Sequence, residues 1–114
     1  MAVKAGSLLN RLPARQLPRE AVEVLVERAG IGIERIVSTG QTTPTGQWYD
    51  QETDEWVLVV KGAARLRIEG EEEERKLGEG DWIMIPAHCR HRVAWTQSVP
   101  PTVWLAIHWR EPRH

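Results

Sequence analysis

Apolar and polar residues alternate with a period of two along much of this chain. From Ala21 to Glu27, Val22, Val24 and Val26 alternate with Glu23, Leu25 and Glu27. Side chains two apart face the same way in a strand, so this pattern predicts one there. A helix is the competing reading, because Glu and Leu are good helix formers. Ala29-Gly30 is a turn signal. Ile31 to Ser38 alternates again, with Ile31, Ile33, Arg35 and Val37 opposite Gly32, Glu34, Ile36 and Ser38. Together these segments predict a hairpin over 21–38.

Thr39 to Gly46 carries Gly40, Pro44 and Gly46 and reads as a loop. Gln47 to Val60 starts polar and ends in Glu55-Trp56-Val57-Leu58-Val59-Val60, a β-branched run suited to a strand buried on both faces. Lys61-Gly62 marks a bend, and Ala63 to Ile68 alternates again, with Arg65 and Arg67 on a wet face. Gly70 to Lys76 reads as a solvated hairpin tip, since adjacent glutamates repel one another. Trp82 to Pro86, His91 to Thr96 and Val103 to Arg110 supply the remaining apolar strands, and Ala87 to Arg90 a turn.

The pattern amounts to about eight short strands with Gly/Pro punctuation and almost no helical period. It predicts an all-β fold, a sandwich or a closed double-sheet jelly roll. Residues 1–20, with Pro13 and Pro18, read as an irregular N-terminal arm with one helical turn near Leu8 to Leu12. Residues 21–110 form the barrel, and 111–114 a loose tail.

Composition narrows the function classes. The 114 residues fit one domain, and 41% hydrophobic content supplies one core. Lys plus Arg is 15 and Asp plus Glu is 16, a balance that argues against a nucleic-acid partner. No stretch approaches the roughly 18 apolar residues of a membrane span. No run near the start is long enough for a signal peptide, and Cys89 alone cannot form an internal disulfide. A soluble, cytoplasmic protein is the expectation. Six tryptophans, one tyrosine and no phenylalanine make Trp48, Trp56, Trp82, Trp95 and Trp104 candidates for pocket walls, core or interface.

At the second half of the chain the sequence resembles the cupin family. Gly80 is followed by five residues, then Pro86, Ala87, His88, Cys89, Arg90 and His91, which keeps the spacing of the family's second motif. His88 stands where that motif usually has Gly. Of the first motif, Glu55, six residues and Gly62 match. The motif's histidine pair falls on Tyr49 and Gln51, or on Trp48 and Asp50, neither containing histidine. The resemblance spans roughly Thr39 to His108 and implies a double-stranded β-helix, the cupin-type jelly-roll barrel.

The resemblance also implies a metal held by the motif histidines, Glu and the later His. Here Glu55 and His91 keep two of those places, Gln51 offers a third donor, and Tyr49 or Asp50 a fourth. Such a site would take one divalent transition metal (Zn, Ni, Fe or Mn). The residues agree in part on their own terms. Tyr49, Gln51 and Glu55 share strand parity, and Glu55 heads a very apolar strand, where a bare carboxylate is costly. A hydrogen-bonded polar patch without metal is the other reading of the same three. His88 and His108 are further candidates for the pocket. Trp48 and Arg90 are ligand-binding candidates, and Arg90 and Arg92 read either as partners for an anionic group at the mouth or as solvated. Cys89 reads as structural or, beside its basic neighbours, as a thiolate.

Three functions are compatible. One is a metal-dependent enzyme acting on a small organic acid or sugar. Another is a metal-free small-molecule binding or sensor module. The last is an oligomer-forming structural role. A homodimer is expected in each case. Fold alone does not choose among them.

Overall fold

The computed structural model describes residues 2–110. Eight strands follow in order: β1 (Ala21–Arg28), β2 (Ile31–Ser38), β3 (Asp54–Lys61), β4 (Ala64–Ile68), β5 (Arg75–Leu77), β6 (Trp82–Ile85), β7 (His91–Thr96) and β8 (Thr102–Trp109). They build a five-stranded sheet, β1-β2-β8-β3-β6, and a three-stranded sheet, β5-β4-β7. Every strand pairing is antiparallel. The fold is an all-β jelly roll, and no helix forms among the described residues.

The register explains which side chains face inward. Val59 pairs with Trp104, and Trp104 with Ile36. Val57 pairs with Ala106 and Ile83. Residues paired across a ladder share a face, so these rows meet Ala64, Leu66 and Leu77 of the smaller sheet in one core. Val57, Val59, Trp104 and Ala106 are buried. The intervening residues of β3, β6 and β8 form an outer apolar face, on which Trp56 and Trp82 lie with ring centroids 6.0 Å apart.

Several expectations are corrected in detail. The arm from 2 to 20 makes bends and no helical turn near Leu8 to Leu12; there the backbone follows the sheet, with the Arg35 guanidinium donating to the carbonyls of Leu8 and Asn10. The strand expected from Glu55 begins one residue earlier. Arg75 and Lys76, expected in the hairpin tip, belong to β5, where they pair with Leu66 and Arg65. The β1 alternation is present, yet Val22 and Val24 stay 56% and 54% exposed. β1 is the edge of the wider sheet, and the three opposing strands do not cover it. The tail expected at 111–114 lies outside the described residues.

Gly62 shows why the β3–β4 bend needs glycine. Its φ is +89°, and a Cβ there would stand 2.9 Å from the Thr102 backbone.

Candidate functional site

A cavity of about 230 Å³ lies between the two sheets. Its apolar walls include Ile36, Val57, Leu66, Ile85, Val93 and Trp104. Its polar groups are Glu20, Glu34, Tyr49, Gln51, Glu55 and His91. The barrel therefore gathers Gln51, Glu55 and His91, the three residues read from the sequence as its centre, together with Tyr49.

Each is positioned by a different device. Glu55 projects from β3 on the same face as Val57 and Val59, and pairs in register with His108 and Ile85. His91 opens β7 and is 5% exposed. Tyr49 and Gln51 do not continue β3 as one regular strand; the segment bends at 52–53 and Tyr49 instead forms an isolated bridge with His91. The turn before β7 holds this segment down. His88 N–H donates to the Gln51 carbonyl at 2.8 Å, and Ala87 N–H to Asp54 Oδ1 at 2.8 Å. The two motif regions are thus bonded to each other.

The protonation pattern follows from the partners. His91 Nδ1 lies 2.9 Å from the Cys89 carbonyl. A carbonyl only accepts, so Nδ1 carries the hydrogen, and in the neutral ring Nε2 presents its lone pair. Among the described residues, the side chains of Glu55 and Gln51 and the Nε2 of His91 have no hydrogen-bond partner. Burial pushes the Glu55 carboxyl above its ordinary range; His91 and then His108 oppose this, and Glu34 and Glu20 add to it. Burial likewise raises the Tyr49 hydroxyl, followed by Glu20, with a hydrogen bond to Thr43 opposing and Glu55 contributing last.

Other predicted residues lie elsewhere. His88 is exposed, with a φ of 63°, and its Nδ1 meets Asp50 Oδ1 at 2.8 Å outside the cavity lining. The glycine position is occupied by a histidine that reaches sideways to Asp50. Arg90, in the turn before β7, pairs with Glu69 at 2.8 Å and stacks over Trp48, as Arg92 does from within β7, at 5.6 and 5.9 Å from the ring centroid. Arg92 also donates to the Thr43 carbonyl. Trp95 lies under Arg65. Of the five candidate tryptophans, Trp104 alone lines the cavity. Cys89 packs against the core.

His108 sits between two spaces. Its Nε2 lies 3.1 Å from Glu34 Oε1, and its ring covers Gly32, where an added Cβ would meet Cε1 at 2.7 Å. His108 lines a second cleft of about 270 Å³ with Arg28 and Arg110, while Glu34 borders both spaces.

Glu20 and Glu34 were not read from the sequence as site residues. In the sequence Glu20 ends the arm and Glu34 is one of the alternating positions of the 31–38 strand. A signal did exist for Glu34, which shares the parity of Gly32 and Ile36. Glu20 accepts from the Ser38 hydroxyl, and Ser38 Oγ in turn accepts from Trp104 Nε1–H at 3.1 Å.

The donor set does not fit a protein-held metal ion. Three or four converging His, Cys or carboxylate ligands are the usual requirement. Among the described residues no group of three or more His, Cys, Asp or Glu is arranged to hold one. Glu34 and His108 are committed to each other and Glu20 to the Ser38 hydroxyl, which leaves Glu55 and His91 with an amide and a phenol.

With this architecture in view, comparison with known proteins is direct. The Cupin domain family model matches residues 35–108, and the chain belongs to the cupin family, whose members often bind a metal. A protein from Ralstonia eutropha JMP134, suggested to be a mannose-6-phosphate isomerase, is 50% identical, with a TM-score of 0.92 over 96% of this chain and 100% of that one. A cupin superfamily protein from Desulfitobacterium hafniense DCB-2 is 18% identical, with a TM-score of 0.71 over 87% of this chain and 84% of that one. An RmlC-like cupin from Desulfovibrio desulfuricans is 18% identical, with a TM-score of 0.72 over 95% of this chain and 97% of that one. No curated protein matches the chain. No helix among the described residues is long and apolar enough to cross a membrane.

Proposed function

We propose that the barrel cavity binds a small sugar-type molecule and moves protons on it, as an aldose–ketose isomerase does. The observation that carries this reading is the presence of three unpartnered polar groups, Glu55, Gln51 and His91 Nε2, in one largely apolar cavity. A volume of about 230 Å³ is below the ~300–1,000 Å³ of drug-sized sites, which suits a small ligand. The suggested activity of the 50% identical Ralstonia protein, on a phosphorylated mannose, supports isomerisation of a sugar and leaves the phosphate to be tested.

Glu55 has the properties of a general base. Burial makes its carboxylate a better proton acceptor than an exposed one. In an isomerisation it would take the proton from the carbon next to the carbonyl, leaving an enediolate, and return it to the neighbouring carbon. His91 Nε2 would accept the hydroxyl proton and release it to the former carbonyl oxygen. Gln51 would orient the substrate oxygens through its amide.

Isomerisation of unphosphorylated aldoses and ketoses, followed by NMR, tests this directly. Glu55→Gln should lower kcat by about 100-fold or more. Activity in that variant equal to wild type contradicts the assignment. A metal-free binding module is the second reading, favoured by the donor set. Sugar binding without turnover would select it. For the expected homodimer, the supporting feature is the outer face, where Trp82 is 60% exposed beside Trp56. Sedimentation at two concentrations tests a second copy on that face, and a strict monomer contradicts it.

A further inference from the structure

We infer that the cavity takes a neutral or cationic ligand that donates hydrogen bonds through hydroxyl or ammonium groups, and that it rejects phosphate esters and other anions. The inference rests on reading the cavity as the ligand site, and adds its substrate class. Three carboxylates, Glu20, Glu34 and Glu55, border the cavity, while no Lys or Arg lines it among the described residues. A recess lined by one sign of charge, with low-dielectric walls, concentrates its field and repels that sign. A phosphate dianion would enter with no cationic partner, at a cost that grows as water is excluded.

The nearby arginines do not change this balance. Arg35 faces the arm and Arg92 the Trp48 side. Arg28 and Arg110 belong to the second cleft, where Arg110 pairs with Glu52 at 3.3 Å and Arg28 donates to the Glu27 carbonyl at 2.7 Å. The hydrogen-bonding character points the same way. Glu55 and the His91 Nε2 lone pair accept, so the complementary groups on a ligand are donors. Hydroxyls and an ammonium donate; an ionised phosphate does not.

The test is a titration of the ¹⁵N-labelled full chain with D-mannose, D-glucosamine, mannose 6-phosphate and inorganic phosphate. The reporter is the Trp104 indole N–H, which lies at the cavity wall. Mannose and glucosamine should shift it, and mannose 6-phosphate should bind about ten-fold more weakly or worse. Glu20→Gln with Glu55→Gln should narrow that gap by about three-fold or more, because the amide at position 20 still accepts from Ser38 while two of the three charges are gone. Phosphate compounds binding as tightly as mannose overturn the inference, as does silence of Trp104 toward both uncharged and cationic sugars. The binding order is independent of turnover. If the order holds and no isomerisation occurs, the ligand class stands and the proton-transfer reading fails. If isomerisation occurs and the order is reversed, only the ligand class fails.

Discussion

Tyr49 and His91 are bonded to each other twice through their backbones, with Tyr49 N–H donating to the His91 carbonyl at 2.7 Å and His91 N–H to the Tyr49 carbonyl at 3.1 Å. Their rings lie 5.5 Å apart at the same cavity. This bridge ties the segment before β3 to β7 and brings the two motif regions together. Because the bridge is made by backbone, Tyr49→Phe should keep it. Stability by urea denaturation should change by less than about 1 kcal/mol, since only the hydroxyl of a partly exposed residue and its bond to Thr43 are lost. A larger loss would mean that the hydroxyl itself holds the segment in place.

His88 is the position where the sequence departs from the family's glycine, and its φ of 63° is one that glycine adopts without steric cost. Its bond to Asp50 is exposed, and such pairs contribute little, about 0–1 kcal/mol. Relief of strain and loss of that bond should nearly cancel. His88→Gly should therefore fall within about 1 kcal/mol of wild type and leave sugar binding unchanged. Weakened binding, measured by the same Trp104 shift, would place His88 in the site after all.

Glu55 should make stability fall as pH rises. Its folded carboxyl titrates above the ordinary carboxylate value, because burial disfavours the charged form. Between the unfolded and folded values the native state binds more protons, so unfolding becomes easier with rising pH. The favourable contribution is complete below about pH 4.5, where a free carboxyl titrates, and is lost as pH passes the folded value. Glu55→Gln should remove this dependence. The stability difference, variant minus wild type, should grow from acid toward neutral pH in urea melts. A difference independent of pH would show that Glu55 titrates normally.

Two glycines should differ in their tolerance of a methyl group. At Gly32 the obstacle is the end of the His108 side chain, at 2.7 Å, which can swing away and break its bond to Glu34. Gly32→Ala should cost about 1 kcal/mol. At Gly62 the obstacle is the Thr102 backbone, at 2.9 Å, and φ is +89°. Gly62→Ala should cost about 2 kcal/mol or more, as the strain cannot be relieved by one rotamer. Thermal denaturation of both variants checks the order, and the reverse order would contradict it.

Much of the architecture was legible because period-two alternation directly reports strand faces. The Glu55–Val60 strand followed from the pattern, but as one buried on both faces; only Val57 and Val59 are buried, and the residues between them lie on the half-buried outer face. The spacing from Gly80 to His91 led to the turn and to the buried His91. What remained hidden is long-range. Strand order decides that β1 is an edge, so the exposure of Val22 and Val24 has no local signature. Glu20 reaches the cavity from just before β1, and the pairing of Glu34 with His108 joins residues 74 apart in the chain. Chain spacing carries no information on such contacts. Nor does it give direction: Asp50 and Tyr49 are neighbours, yet one faces His88 outside and the other lines the cavity.

The most direct test of the central claim is proton exchange in heavy water. The protein is incubated with D-mannose and other unphosphorylated aldoses and ketoses in D₂O, and deuterium at the carbon next to the carbonyl is followed by NMR. The account predicts incorporation by the wild-type chain that drops about 100-fold in Glu55→Gln, with the fold retained. Incorporation that is equal in wild type and Glu55→Gln, or absent from both across the whole sugar panel, would contradict a proton-transfer site at Glu55 and His91.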